Sequence, residues 1–454
     1  MRRGLSGLAL FLAACAPHAE VTKAVSQDAF SLNPLPAQKS FAEPPAVPPT
    51  RSNAAIAAEF VALEFALESG RSLPVLTRFE GPVSVAMTGA VPATAGADLG
   101  RLLARLRDEA GIDIAQVQSG QAAITIEFLP RSRMQAVVPT AACFVAPRVS
   151  SWADYRKNRR SDLLDWTTLT KREKLAIFVP SDTTPQEVRD CLHEELAQAL
   201  GPLNDLYQLP DSVFNDDNFQ TVLTGFDMLV LRLHNSPDLQ SGMSQSDVTA
   251  RLPQLLARLN PSGENGGRST LVATSRPWTN AIETALAPNI ALAKRLKAAD
   301  LALSIAKREG WSDNRLAFSY FAVGRLNLAK DIPRAIASFG LASDIYQTLP
   351  DGQLHTAHVD MQVAALALSS AQPLTTISLA DRAIPVALRA QNAALLATFM
   401  LLKAEALDQL GRADEAQALR LDSLGWARYG FGPDKDVRAR MADIAALSQV
   451  EIGG

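Results

Sequence analysis

The stretch Asp190-Cys191-Leu192-His193-Glu194-Glu195-Leu196-Ala197-Gln198-Ala199-Leu200-Gly201-Pro202-Leu203-Asn204-Asp205 reads as a helix running into a turn. Its start is punctuated just upstream. Thr184 is placed to cap it, Pro185 suits the first helical position, and Glu187 stands three residues after the cap, as a capping box requires. Val188, Leu192, Leu196, Ala199 and Leu203 then form one apolar stripe. At about 100° per residue, Glu194 and Gln198 share a face away from that stripe, with Glu195 beside them. Gly201 is expected to end the helix in a sharp turn.

This outline matches the metal-binding helix of a zinc peptidase, which needs two histidines at i and i+4, a glutamate after the first to activate water, and a third ligand farther on. With His193 as first ligand the pattern fails, because Ala197 stands at i+4. A register one residue later puts Glu194 and Gln198 at the two helical ligand positions, Glu195 at the base, and Asn204 at the third ligand, with Asp205 beside it. Such a set offers oxygens, so a possible divalent metal ion would be a harder one than zinc. The plainer alternative for Glu194, Glu195 and Gln198 is a solvated polar face.

Upstream, Val83, Val85 and Met87 alternate as a strand ending at Gly89, and Leu99, Leu102, Leu103 and Leu106 follow at helical spacing up to Gly111. Ile124, Ile126 and Phe128 alternate again, and the apolar run 175–179 is a buried strand leading into the central helix. A mixed sheet backed by helices buries these faces. Downstream, 211–218 is rich in turn-forming and carboxylate side chains. It lacks the spacing of a helix-loop-helix calcium loop and reads as a hydrogen-bonded loop.

Cys143-Phe144-Val145, the 191–205 segment, Ser212-Val213-Phe214-Asn215-Asp216-Asp217 and the 224–233 stretch resemble the bacterial family called domain of unknown function 2927, over roughly 72–261. The resemblance implies a zincin-like fold and names no activity. Glu194 and Gln198 depart from the peptidase pattern.

After a Gly/Ser/Asn-rich linker at 261–275 the chain turns helical and rich in alanine and leucine. Ala335, Phe339 and Ala342, following a turn at Lys330-Asp331-Ile332-Pro333, have the spacing of a tetratricopeptide repeat, and Gly411-Arg412-Ala413-Asp414-Glu415-Ala416 matches its interhelical turn. The stretch 366–388 is a possible third unit. Such stacks present a concave surface for peptides or proteins; the alternative is a plain helical bundle. His355 and His358 are read as exposed and without ligand support. The segment 424–432, Leu-Gly-Trp-Ala-Arg-Tyr-Gly-Phe-Gly, reads as a docking or capping segment.

Residues 1–14 begin with Arg2 and Arg3, continue through an apolar run and end in Leu12-Ala13-Ala14 before Cys15. That is a bacterial lipoprotein signal, with Cys15 as the lipidated residue, and the run is too short to span a bilayer. Ala16 rather than an aspartate follows, which points to the outer membrane. A Pro-rich stretch to residue 53 is expected to act as a tether. Cys143 and Cys191 would be exported together, where a disulfide is expected. Net charge is −3 over 454 residues with no basic stripe, which argues against nucleic acid as a partner.

The sequence is thus expected to be α+β: a signal peptide at 1–14, a lipidated tether at 15–53, a zincin-like mixed sheet and helix domain at 54–260, the linker, and an all-α tetratricopeptide-like domain at 276–454. The expected function is that of a cell-envelope lipoprotein facing the periplasm, with a degenerate peptidase-like domain and a helical protein-binding scaffold holding a periplasmic protein or cell-wall partner. The alternative is an active metal-dependent peptidase or hydrolase with Glu195 as general base.

Overall fold

The computed structural model describes residues 34–42, 47–118, 122–265 and 271–448. The expected lipoprotein signal and the expected lipidation residue, Cys15, lie outside them. They fall into two compact units, one comprising 47–183 and 187–273, the other 34–42, 184–186 and 274–448.

The first unit opens with α1 (Asn53–Glu64), capped by the Ser52 hydroxyl. Its sheet has five strands, β1 (Val83–Gly89), β2 (Ile114–Gln116), β3 (Ile124–Leu129), β4 (Phe144–Pro147) and β5 (Leu175–Pro180), in the order β2-β1-β3-β5-β4. β1 pairs in parallel with β2 and β3, and β3 with β5, setting Ile126 beside Met87 and Ile177. β4 runs antiparallel at the edge, with Phe144 beside Phe178, so the sheet is mixed, as expected. Parallel strands are usually connected through a helix; α2 (Ala95–Asp108) makes that connection between β1 and β2, buries Leu99, Leu102, Leu103 and Leu106, and is followed by left-handed Gly111 at φ 68°.

Both sheet faces are covered, which is why β5 is buried at all six positions. Leu175, Ile177 and Val179 point into the main core, whereas Ala176 and Phe178 face a smaller one beneath α3 (Arg131–Gln135) and α4 (Trp152–Asn158). The Trp152 and Phe178 rings meet edge-on there, with centroids 5.1 Å apart. Trp152 and Tyr155 of α4 thus anchor the chain after β4 to this smaller core. The main core is completed by α5 (Pro185–Leu200), α6 (Gly225–His234) and α7 (Gln245–Leu259).

The second unit holds nine helices among the described residues: α8 (Arg276–Leu286), α9 (Leu292–Arg308), α10 (Asn314–Asn327), α11 (Ile332–Thr348), α12 (Gln353–Ser369), α13 (Pro373–Arg389), α14 (Ala393–Gln409), α15 (Ala413–Phe431) and α16 (Asp434–Leu447). Successive helices pack in pairs. Ala335, Phe339 and Ala342 are fully buried, and Gly324 of α10 lets the Phe339 ring come so near that an added Cβ would lie 2.6 Å from it. Gly411, left-handed at φ 74°, makes the turn between α14 and α15. His355 and His358 are not exposed as expected. Both are buried, and the His355 ring lies against Tyr346, because α12 is enclosed nearly all round.

No helix of the described residues is long and apolar enough to cross a membrane.

Candidate functional site

Helix α5 carries the predicted site. Its stripe is as expected, with Val188, Leu192, Leu196 and Ala199 inaccessible to solvent. The opposite face is not a solvated one. Glu195 is 1% exposed and Gln198 is 0% exposed, and only Glu194 is half-buried. From Cys191 to Leu200 every other position is buried, so α5 is a central helix packed on all sides. Gly201 follows the last residue of α5 at a bend, as expected. It is absent from the left-handed positions, and its missing side chain instead admits Leu231 of α6, whose Cδ2 would lie 2.6 Å from a Cβ there.

Cys143 and Cys191 form a disulfide, joining the residue before β4 to α5 across a Cα–Cα distance of 6.0 Å. The Cys143 Sγ and carboxylate oxygens of Glu194 and Glu195 all lie within 4.8 Å of one another. The candidate base and the first candidate ligand therefore sit against an oxidised sulfur, which is no thiolate ligand. The Asn204 amide donates to the Ala62 carbonyl at 2.9 Å, fastening the chain after α5 to α1.

His193 is buried, and its Nδ1 accepts the Leu223 N–H at 3.1 Å. Burial pushes its pKa well below the usual imidazole value, and the positive charges of Arg189, Arg105 and Arg101 push the same way. A neutral imidazole with one nitrogen engaged and three guanidinium groups nearby disfavours a cation. With a carboxamide, two carboxylates, a disulfide and this histidine, the residues around α5 do not fit a zincin-type zinc ion.

The C-terminal end of α5 is held by Arg172, a residue that the sequence reading did not single out. Its guanidinium is 2% exposed and donates to the Gln198 and Ala199 carbonyls, each at 2.9 Å. These are carbonyls that a helix end leaves without intrahelical partners. Burial lowers the Arg172 pKa to about 10, and the nearby Glu64 opposes that shift.

The 211–218 loop is hydrogen-bonded, as expected. Asn215 donates to the Leu209 carbonyl at 2.7 Å and accepts from the Asp217 amide at 3.0 Å, and Ser212 donates to Asp227 at 2.6 Å. Asp227 completes a capping box with Thr224 at the start of α6. Burial raises the Asp227 pKa to about 7, against the hydrogen bonds from Ser212 and from the Thr224 and Val213 amides. The loop also brings Asp216 within 4.8 Å of Asp205 and Glu68, all three half-buried. Glu68 follows α1 in a stretch whose sequence gives no motif, so nothing local marked it.

In the second unit, α13, α14 and α15 line a shallow cleft with Ile377, Asp381, Lys403, Leu407, Arg412 and Leu419. Its lining mixes apolar side chains with paired charges, Lys403 with Asp381 and Arg412 with Glu415.

Residues 53–254 match the model of a family described as protein of unknown function, DUF2927. The resemblance read from the sequence holds over that stretch, and the helical region follows it. No curated protein and no solved structure matches the chain.

Proposed function

We propose that the chain is a cell-envelope lipoprotein in which the DUF2927 unit binds rather than hydrolyses, and the helical unit is a scaffold for a periplasmic protein or cell-wall partner. The anchor is Cys15, and the expected site is the periplasmic face of the outer membrane. The observation that carries the non-hydrolytic reading is the burial of Glu195 and Gln198, with Glu195 held against the Cys143–Cys191 disulfide. A water-activating carboxylate must reach a substrate-bound water within hydrogen-bond distance, and Glu195 is spent on the interior. The paired helices and the cleft over α13–α15 support the scaffold role.

The test is elemental analysis of the purified full chain together with peptide hydrolysis by wild type and Glu195→Gln. The expected result is substoichiometric zinc and no hydrolysis that depends on Glu195. Stoichiometric zinc with hydrolysis abolished in Glu195→Gln would overturn the proposal in favour of an active metal-dependent peptidase.

A further inference from the structure

The stretch expected to be a free tether places residues 35–41 on the helical unit. Leu35 is 3% exposed and joins the core formed by Leu424, Ala427, Val437 and Met441. Pro34 and Pro36 flank it, and proline fixes φ, so an extended segment loses less freedom on docking.

The receiving surface is built on α15. Asp422, Gly425, Trp426 and Tyr429 follow at i, i+3, i+4 and i+7, which puts them on one face. The Lys39 amide donates to the Gly425 carbonyl at 3.0 Å. The Phe41 ring stacks on Trp426 with centroids 4.6 Å apart and meets Tyr429 edge-on at 6.3 Å. The Lys39 ammonium lies 5.3 Å from the Trp426 centroid and pairs with Asp422. Arg428 donates to the Pro36 and Leu35 carbonyls at 2.8 and 3.3 Å. Gly425 is what makes room: a Cβ there would stand 2.7 Å from Lys39 Cγ and 3.1 Å from the Ala37 carbonyl oxygen.

A buried leucine, a stacked aromatic, a paired lysine and four engaged backbone groups over seven residues, the fourth being the Leu35 amide donating to Asp434 at 3.5 Å, are the elements of extended-peptide recognition. We infer that the Asp422–Tyr429 face of α15 is a binding site for extended peptides of the pattern Leu-Pro-x-x-Lys-x-Phe, and that residues 35–41 are its resident ligand. The inference rests on the scaffold reading of the helical unit and names the chemistry that the scaffold takes.

The test uses the full chain in two variants. Gly425→Leu blocks the site, and leucine is a better helix former than glycine, so α15 is retained. Leu35→Asp/Phe41→Ser empties the site and leaves α15 intact. Hydrogen exchange at the Lys39 amide is expected to be at least about tenfold faster in Gly425→Leu than in wild type, with helical circular dichroism unchanged. A labelled peptide of residues 34–42 is expected to bind the emptied variant with a Kd of about 1 mM or tighter, wild type far more weakly, and Gly425→Leu not at all. Equal Lys39 exchange in wild type and Gly425→Leu would overturn the docking. Faster exchange without peptide binding to the emptied variant would overturn the ligand site and leave the segment a structural strap. A periplasmic partner held elsewhere on the helical unit would still bind both variants, so failure here is distinguishable from failure of the scaffold reading.

Discussion

Glu64, the last residue of α1, and His234, the last residue of α6, meet at 2.6 Å between Oε1 and Nδ1, with both side chains shut off from solvent. Burial lowers the His234 pKa more than Glu64 restores it, so the imidazole is neutral and donates from Nδ1 to the carboxylate. The charge on Glu64 is answered by the buried guanidinium of Arg172, which in turn holds the end of α5. Three elements distant in sequence thus share one buried polar knot.

Removing one member leaves the others without compensation inside the core. Glu64→Ala is expected to destabilise the first unit by about 2 kcal/mol, within the range for leaving a buried hydrogen-bonding partner unsatisfied. Urea denaturation followed by near-ultraviolet dichroism measures it. A loss below about 1 kcal/mol, the range of exposed pairs, would show that water reaches the knot.

His193 gives the first unit a defined acid sensitivity. Its folded pKa lies below the unfolded value near 6.5, because burial and three arginines resist protonation. As pH falls below that value the unfolded chain binds a proton that the folded chain refuses, so stability is present above it and lost on acidification. The limiting slope is about 1.4 kcal/mol per pH unit for one such group. His193→Gln, which keeps an acceptor for the Leu223 amide, is expected to remove that loss between pH 6.5 and 5, leaving the opposing contributions of His234 and of Asp227, whose raised pKa favours the fold on acidification. An unchanged profile would assign the sensitivity to other groups.

What the sequence made legible was local. Val83, Val85 and Met87, the α5 stripe and the Gly411 turn could be read because their signals lie within a few residues. β2 and β4 escaped for opposite reasons. β2 has three residues with one buried, and β4 is buried at all four positions, so neither shows alternation. The polar face of α5 was misjudged because spacing says which residues share a face and not what covers it. Arg172, Glu68 and the docking of Leu35 were beyond reach, since their partners lie tens to hundreds of residues away.

The Cys143–Cys191 bond spans a sequence separation of 48 and ties the sheet edge to α5. In the chain-entropy account a loop of that length is worth about 4 kcal/mol. Cys143→Ser/Cys191→Ser is expected to lower the urea midpoint of the first unit correspondingly, and dithiothreitol should reproduce the shift in wild type. Equal midpoints with and without reductant would mean that the sulfurs are not bonded in the purified protein.

Two glycines in neighbouring helices separate a packing requirement from an incidental residue. Gly324 in α10 faces Phe339, and an alanine Cβ would lie 2.6 and 2.7 Å from two ring carbons. The ring is fully buried and cannot swing into solvent, so the helices must part. Gly324→Ala is expected to cost about 2 kcal/mol, within the range for overpacking a core. Gly340 in α11 has nothing within 4 Å of its would-be Cβ and is exposed. There the same change adds only helix propensity and is expected to stabilise by about 0.8 kcal/mol. Thermal melts of the full chain give both signs. If Gly324→Ala is neutral, α10 and α11 are not packed as closely as a tetratricopeptide-like pair requires, and the concave surface attributed to the scaffold loses its geometric basis.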